Sequence, residues 1–246
     1  MPSQLVCRPE RDLPVAVLKV SGSLDLVTGD ALQRAVRQSL ANQPEALLLD
    51  VADLEVRDPL GLAALGAVVC QTAEWPAVPI VLCGADPETA RTLAASPDCH
   101  DLRSAPSCAS ALADAAEEPQ PRRIRIRLRP VPDACRQVRQ LVVQACAAWQ
   151  TSELSATAAL IATELVANVV RHAHTTMEFT VALRDGRLSV TVRDGSRRLP
   201  HPATPDRSDP GGRGLHLIRA LTDAWGVMPT TDGKVVWTRL PTILRT

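Results

Sequence analysis

Apolar and polar positions alternate in two rhythms along this chain, and the change of rhythm divides it. In the first stretch, residues 16–20 form a short apolar run, followed by Ser21-Gly22-Ser23; this reads as a strand and a turn. Leu32, Val36 and Leu40 recur at helical spacing, predicting a helix that Thr28 caps and that ends near residue 40. Ala46-Leu47-Leu48-Leu49-Asp50-Val51 is nearly continuous in apolar side chains, as a strand covered on both faces would be. Residues 60–69 have helical character, 79–84 read as another buried strand, 87–95 as a helix with Pro87 in its first turn, and 109–116 as a last helix. This strand–helix alternation predicts an α/β sheet layered with helices.

Residues 115–121, Ala-Ala-Glu-Glu-Pro-Gln-Pro, are polar and carry two prolines, the composition of a linker. The expected organisation is a domain over 1–116, a linker over 117–122 and a second domain over 123–246. After the linker, Arg123-Ile124-Arg125-Ile126-Arg127-Leu128-Arg129 alternates strictly and predicts a half-exposed strand. Its arginines suit a solvated outer face, where they also discourage edge pairing. Residues 131–149 and 152–173 read as two long helices, and 179–183 and 188–192 as a hairpin around Asp185-Gly186. A Pro- and Arg-rich loop over 196–212, a helix over 215–225 and strands near 226–228 and 235–240 complete the order. That order predicts an α+β domain with helices on one face of a mixed sheet.

Composition narrows the function. Aromatic residues make up 2% of the chain, with no Tyr and Phe179 as its single Phe, so the core must be built from Leu, Val, Ile and Ala. Basic and acidic residues balance at 27 each, which gives the chain no global attraction to a phosphate backbone, and few aromatics leave no stacking platform for single strands. Nucleic acid is therefore not the expected partner. The seven cysteines are odd in number and include no C-x-x-C pair, against both a disulfide framework and a zinc site. Buried free thiols in a reducing cytoplasm are the expectation. The N-terminus shows no basic-then-apolar signal, and no apolar run is seen to approach the roughly 20 residues of a membrane span, so a cytoplasmic protein without membrane contact is expected.

The chemistry concentrates in the second half. Glu164, Asn168 and His172 recur every four residues on a helix otherwise rich in Leu, Ile and Val, which puts a carboxylate, an amide and an imidazole on one stripe. By itself that spacing fits a solvated helix face as readily as a site. An oxygen-ligated metal with phosphates would satisfy the same groups if the stripe faces a core. Asp194-Gly195 follows the strand-like Val190-Thr191-Val192-Arg193, and Gly211-Gly212-Arg213-Gly214-Leu215 comes immediately before a helix. Glycines there let backbone N–H groups approach an anion at a helix N-terminus, although no Gly-Lys-Ser/Thr ending of a Walker loop is present.

Taken in order, Glu164-Leu165-x-x-Asn168-x-x-Arg171-His172-Ala173, Val192-Arg193-Asp194-Gly195, Gly212-Arg213-Gly214-Leu215, Leu221-x-Asp223-x-Trp225-Gly226 and Gly233-Lys234-x-Val236-Trp237 resemble the GHKL (histidine kinase-like ATPase) superfamily, and within it the anti-sigma factor serine kinases. The resemblance covers nearly all of residues 123–246 and implies a Bergerat-type α+β sandwich that binds ATP and Mg²⁺. It implies that Glu164 orients or deprotonates the attacking group, that Asn168 ligates Mg²⁺, and that Asp194 accepts a hydrogen bond from the adenine amine. Gly212, Arg213 and Gly214 would form a lid over the phosphates with Arg213 stabilising charge, and His172, Gly195 and Leu215 would complete the nucleotide site. Two positions depart from the family's pattern. Ser196 stands where the second box often has Gly, and Val235 aligns where a Thr commonly helps bind adenine.

Residues 4–116 resemble a STAS domain, the fold of anti-sigma factor antagonists, through Gly22-Ser23-Leu24-Asp25, Leu47-Leu48-Leu49-Asp50 and Asp58-Pro59-Leu60-Gly61-Leu62. The family segment usually reads Asp-Ser-Ser/Thr-Gly-Leu, with the second hydroxyl phosphorylated. Pro59 and Leu60 carry no hydroxyl, so a binding or regulatory role is implied for this domain. Two functions remain open at this point: a serine/threonine kinase that phosphorylates a STAS-type antagonist in trans and binds a sigma factor, and a non-catalytic, nucleotide-responsive module that sequesters such partners. The sequence leaves a homodimer open.

Overall fold

The computed structural model describes residues 4–56, 61, 63, 65–68, 78–95, 103–117, 122–184, 186–199 and 213–240. The chain separates into two compact units, Met1–Gln120 and Pro121–Thr246.

The first unit is a five-stranded sheet in the order β1-β2-β3-β4-β5. Its strands are β1 (Leu5–Arg11), β2 (Val15–Leu24), β3 (Ala46–Val56), β4 (Ile80–Cys83) and β5 (Arg103–Ala105), and its described helices are α1 (Gly29–Ala41), α2 (Pro87–Ala94) and α3 (Cys108–Glu117). β1 runs antiparallel to β2, and the remaining neighbours are parallel. Gly61, Ala63 and residues 65–68 are helical; the rest of the 60–69 segment, with Asp58, Pro59 and Leu60, lies outside the described residues. Both faces of the central strands are buried. Val15, Val17, Ala46, Leu48 and Cys83 pack with Ala111 and Leu112 of α3, while the alternate residues Ala16, Leu18, Leu47, Leu49 and Leu82 are equally withdrawn from solvent. Helix α1 buries Leu32, Val36 and Leu40, the stripe its spacing predicts.

Two local expectations are corrected. Ser21-Gly22-Ser23 is not a turn but part of β2, which runs on to Leu24. Gly22 adopts φ +100°, and a Cβ there would sit 2.1 Å from the Gln4 carbonyl oxygen, so only glycine admits β1 this close. Thr28 precedes α1 without capping it. Its hydroxyl turns back to accept the Asp25 N–H (2.9 Å) and donate to the Ser23 carbonyl (3.0 Å), while the Asp25 carboxylate accepts the N–H groups of Val27 and Thr28. This loop hydrogen bonding competes for the oxygen that a cap would use.

The second unit is a five-stranded sheet in the order β6-β7-β8-β10-β9. It is built from β6 (Arg122–Leu128), β7 (Met177–Arg184), β8 (Arg187–Asp194), β9 (Ala224–Thr230) and β10 (Gly233–Arg239). Helices α4 (Asp133–Ala148), α5 (Ser155–Asn168) and α6 (Arg213–Leu221) accompany it. The expected order suggested a mixed sheet here; each of its four pairings is antiparallel. Ile124, Ile126, Phe179, Val181, Val190, Val192 and Val236 join residues of α4, α5 and α6 in one apolar cluster. The intervening Arg125 of β6 instead forms an ion pair with Glu178 of β7.

The helical run over 152–173 is not uniform. A 3₁₀ turn (Ser152–Leu154) leads into α5, and Val169–Ala173 widens into a π turn that His174 ends at φ +55°. Contrary to the reading of apolar runs above, its 22 residues are long and apolar enough to cross a membrane by composition. Its apolar residues Ile161, Leu165, Val166 and Val169 are instead spent on the core of the unit, which is why the stretch is so apolar. Helix α6 ends at Leu221 rather than at residue 225. Thr222 donates back to the Ile218 carbonyl (2.7 Å) and the Asp223 N–H bonds the Arg239 carbonyl (2.9 Å), so the chain joins β10 and Trp225 lies in β9 opposite Thr238.

Phe179, the single Phe, is fully buried among these aliphatic side chains. Phe179→Ala should cost about 3–5 kcal/mol. Urea unfolding of the full chain, followed by tryptophan fluorescence from Trp149, Trp225 and Trp237 of the second unit, should show it as a lowered midpoint. A loss below about 1 kcal/mol would mean that this core repacks around the missing ring.

Candidate functional site

Helix α5 is buried along most of its surface: Ala158, Ala159, Ile161, Ala162, Leu165 and Val166 all lie in the core. Glu164 and Asn168 occupy the remaining half-buried strip. His172 does not complete the stripe. It falls in the π turn, whose extra residue per turn shifts the phase, and it is exposed beside Arg171.

What faces this strip is the start of α6. A Cβ on Gly214 would lie 2.8 Å from Oε2 of Glu164 and 3.9 Å from Oδ1 of Asn168. The second residue of α6 therefore rests directly on both polar groups, and the partial positive charge of a helix N-terminus is set against a carboxylate. Leu215 and Ile218 hold α6 there by packing on the core cluster. Of Arg213 only the backbone is described, and Gly212 lies outside the described residues.

Asp194 is the last residue of β8, the strand over which α5 packs. Gly195 donates its N–H to Thr175 Oγ1 (3.0 Å), and Thr175 follows the π turn by two residues, so the Asp194-Gly195 box sits by the C-terminal end of the helix that carries Asn168. Asp194 continues the face of β8 that Leu188, Val190 and Val192 bury, and Lys234 stands directly opposite on β10. The two form an ion pair of 2.8 Å with side chains only 1% and 8% exposed. Asp194 Oδ1 accepts both the Lys234 ammonium (2.8 Å) and the Ser196 N–H (2.8 Å), and the same ammonium donates to the Ser196 carbonyl (3.1 Å). Oδ2 is buried without a partner. A carboxylate oxygen in that condition costs on the order of 1–3 kcal/mol or more until a donor reaches it.

Lys234 is the residue the motif reading left without a role. Its place follows from the register: residues 234 and 236 face the helices with Asp194 and Val192, and Val235, the position aligned with a family Thr, points to the other face. Thr175 was likewise unmarked in the sequence. Cys135 of α4 lies close enough to the strip to feel both Arg171, which draws its thiol pKa down, and Glu164, which pushes it up; burial is the largest effect and the thiol stays above its ordinary value. Such a thiol is no activated nucleophile. Burial also raises Cys83, Cys108, Cys146 and Cys7, which are free thiols like Cys135; Cys70 and Cys99 lie outside the described residues.

Residues 128–240 match the family model of a histidine kinase-like ATPase domain, and residues 7–96 match a STAS domain model. The anti-sigma-F factor antagonist RsfB of Mycobacterium tuberculosis is 40% identical over 53 residues, 22% of this chain and 43% of that protein. The chain thus spans under half the length of this curated relative. Among solved structures, an anti-sigma factor antagonist from Mycobacterium paratuberculosis aligns at 24% identity and TM-score 0.41 over 48% of this chain and 98% of its own. The histidine kinase domain of a blue-light-activated histidine kinase from Erythrobacter litoralis aligns at 23% identity and TM-score 0.30 over 37% of this chain and 48% of its own.

An alanine near a helix start ordinarily gains up to about 1 kcal/mol over glycine. At Gly214 the new methyl group meets Glu164, so Gly214→Ala should gain little or nothing in the wild-type background and about 0.5–1 kcal/mol in a Glu164→Ala background. Denaturant unfolding of the four proteins measures the coupling; equal effects in both backgrounds would show that Gly214 and Glu164 are independent.

Proposed function

Starting from a chain that joins a STAS domain to a histidine kinase-like ATPase domain, we propose that it is an ATP-binding regulator of an anti-sigma factor pathway, a serine/threonine kinase that phosphorylates a STAS-type antagonist in trans and binds a sigma factor. The observation that carries this reading is the seating of Gly214 on Glu164 and Asn168, with the partnerless oxygen of Asp194 at the same end of α5.

The residues present suit the nucleotide and its metal. Asp194 Oδ2 is an acceptor awaiting a donor, and an exocyclic amine only donates. The Asn168 amide oxygen is a neutral hard ligand of the kind Mg²⁺ accepts beside phosphate oxygens and waters. The N-terminus of α6, nine residues long, presents backbone N–H groups to negative charge. When bound, ATP supplies the transferable phosphoryl group and Mg²⁺ neutralises charge on its oxygens.

The protein's own part is positioning and proton handling. Glu164 takes the proton of the acceptor hydroxyl. Gly214, with Gly212 ahead of it, lets the backbone close over the phosphates, and Arg213 stabilises the charge that develops there. Gly195 and Thr175 hold the base-binding strand end to the helix. The acceptor belongs to another chain, because Pro59 and Leu60 of this one offer no hydroxyl. The STAS-type unit then serves as a binding or regulatory module.

Incubating the full chain with Mg-ATP labelled at the γ-phosphate and a STAS-type antagonist should transfer label to Ser or Thr of the antagonist. Glu164→Ala should lower the rate by about 10²–10⁴-fold. If ATP binds but no antagonist is labelled, and partner affinity changes with nucleotide, the chain is the non-catalytic switch instead. Absence of ATP binding would sink both readings.

A further inference from the structure

The buried ammonium of Lys234 has no part in phosphoryl transfer as described above, yet it is fixed at the one carboxylate the base would meet. We propose that Lys234 sets the base selectivity of this site by holding Asp194 as an ionised carboxylate whose second oxygen is turned to the base. The inference rests on the ATP-binding reading and deepens it.

Three observations carry it. Lys234 and Asp194 are opposite one another on the helix-covered face and almost wholly withdrawn from water. Every printed hydrogen bond to the carboxylate lands on Oδ1, from the ammonium and from the Ser196 N–H, while the ammonium also grips the Ser196 carbonyl. Turning the carboxylate would break both bonds at once, so Oδ2 alone is left to meet a ligand. Among the described residues, Lys234 is the cation bonded to Asp194. Arg193, its neighbour in β8, is engaged with Asp232, Met177 across on β7 is apolar, and Glu164 lies against Gly214.

Purine chemistry supplies the consequence. A 6-amino purine shows a donor at its edge and a 6-oxo purine shows an acceptor. An ionised carboxylate can only accept, so it favours the amine and repels the carbonyl. Without the ammonium, a carboxylate this deeply buried takes up a proton. Oδ1 is occupied by the Ser196 N–H, so the proton resides on Oδ2, which becomes a donor and suits the oxo base. Lys234 is thus a positioning residue acting through Asp194.

The test compares binding of Mg-ATP and Mg-ITP, which differ at the 6-position, to the full chain by isothermal titration. The wild type should prefer ATP by at least about 100-fold, as expected where a buried polar group would be left facing the wrong partner. Lys234→Met should bring the ratio to within about tenfold, and Lys234→Arg, which restores the cation, should keep the wild-type preference. Lys234→Met is destabilised by loss of one partner of a buried pair, so Asp194→Asn provides a second arm. Lys234 and the Ser196 N–H must hold the introduced amide by its oxygen, which turns its NH₂ to the base and shifts preference towards ITP. An unchanged ATP:ITP ratio in Lys234→Met, with both affinities reduced alike, would overturn the proposal, as would Asp194→Asn losing both nucleotides equally. A wild type that binds neither nucleotide overturns the ATP reading itself, and a wild type that binds both equally overturns only this inference.

Discussion

One helix has to belong to a core and to a polar site at the same time, and the second unit is arranged around that demand. Helix α5 gives most of its circumference to packing against α4 and the sheet, and keeps only the strip of Glu164 and Asn168 for chemistry. A half-buried carboxylate and amide on such a helix must be met by something, because burial without partners is costly. Here a helix N-terminus meets them, and glycine at position 214 is what allows the two backbones to come that close. The apolar side of α6, through Leu215 and Ile218, ties this polar contact to the same core.

The sheet faces a similar conflict at its edge. Along β8 and β10 the helix-covered rungs run from Val190 and Thr238 through Val192 and Val236 to Asp194 and Lys234. Thr238 satisfies its hydroxyl on the Val190 carbonyl, so the ladder stays self-contained until the last rung. There two opposite charges replace two apolar side chains. A buried ion pair of this kind is weak evidence for stability, since desolvation offsets much of the attraction. Its retention of an unpaired oxygen makes more sense as preorganisation for a ligand than as a contribution to folding.

Patterns that depend on burial were legible in the sequence, and patterns that depend on register were not. The continuous run of β3, the stripe of α1 and the alternating Ile residues of β6 announce which faces are covered. β1 carries no such signal: it is an edge strand, mostly exposed, with Pro9 at the point where its pairing slips. β5 is three residues long, too short for a period to show. The boxes around Glu164, Asp194 and Gly214 could be read as a constellation, but the role of Lys234 could not. Whether it or Val235 faces Asp194 is decided by one residue of strand phase, which pairing across β8 settles and composition does not. His172 failed for the same reason in helical form, because an i, i+4 count assumes that the α period continues.

The π turn after Asn168 has a bearing on how this segment can change over time. Such a turn amounts to an α-helix holding one more residue than its hydrogen bonding requires. Removing any single residue there would let the α period resume, and everything downstream would rotate by about 100° about the helix axis. Thr175 would then leave Gly195, and the entry into β7 would be misdirected. Substitutions among Val169, Val170 and Ala173 need only keep size and polarity. A change in their number does not have that freedom, so insertions and deletions should be filtered from this stretch far more strictly than replacements, and an alignment of related chains should show it varying in letters while constant in length.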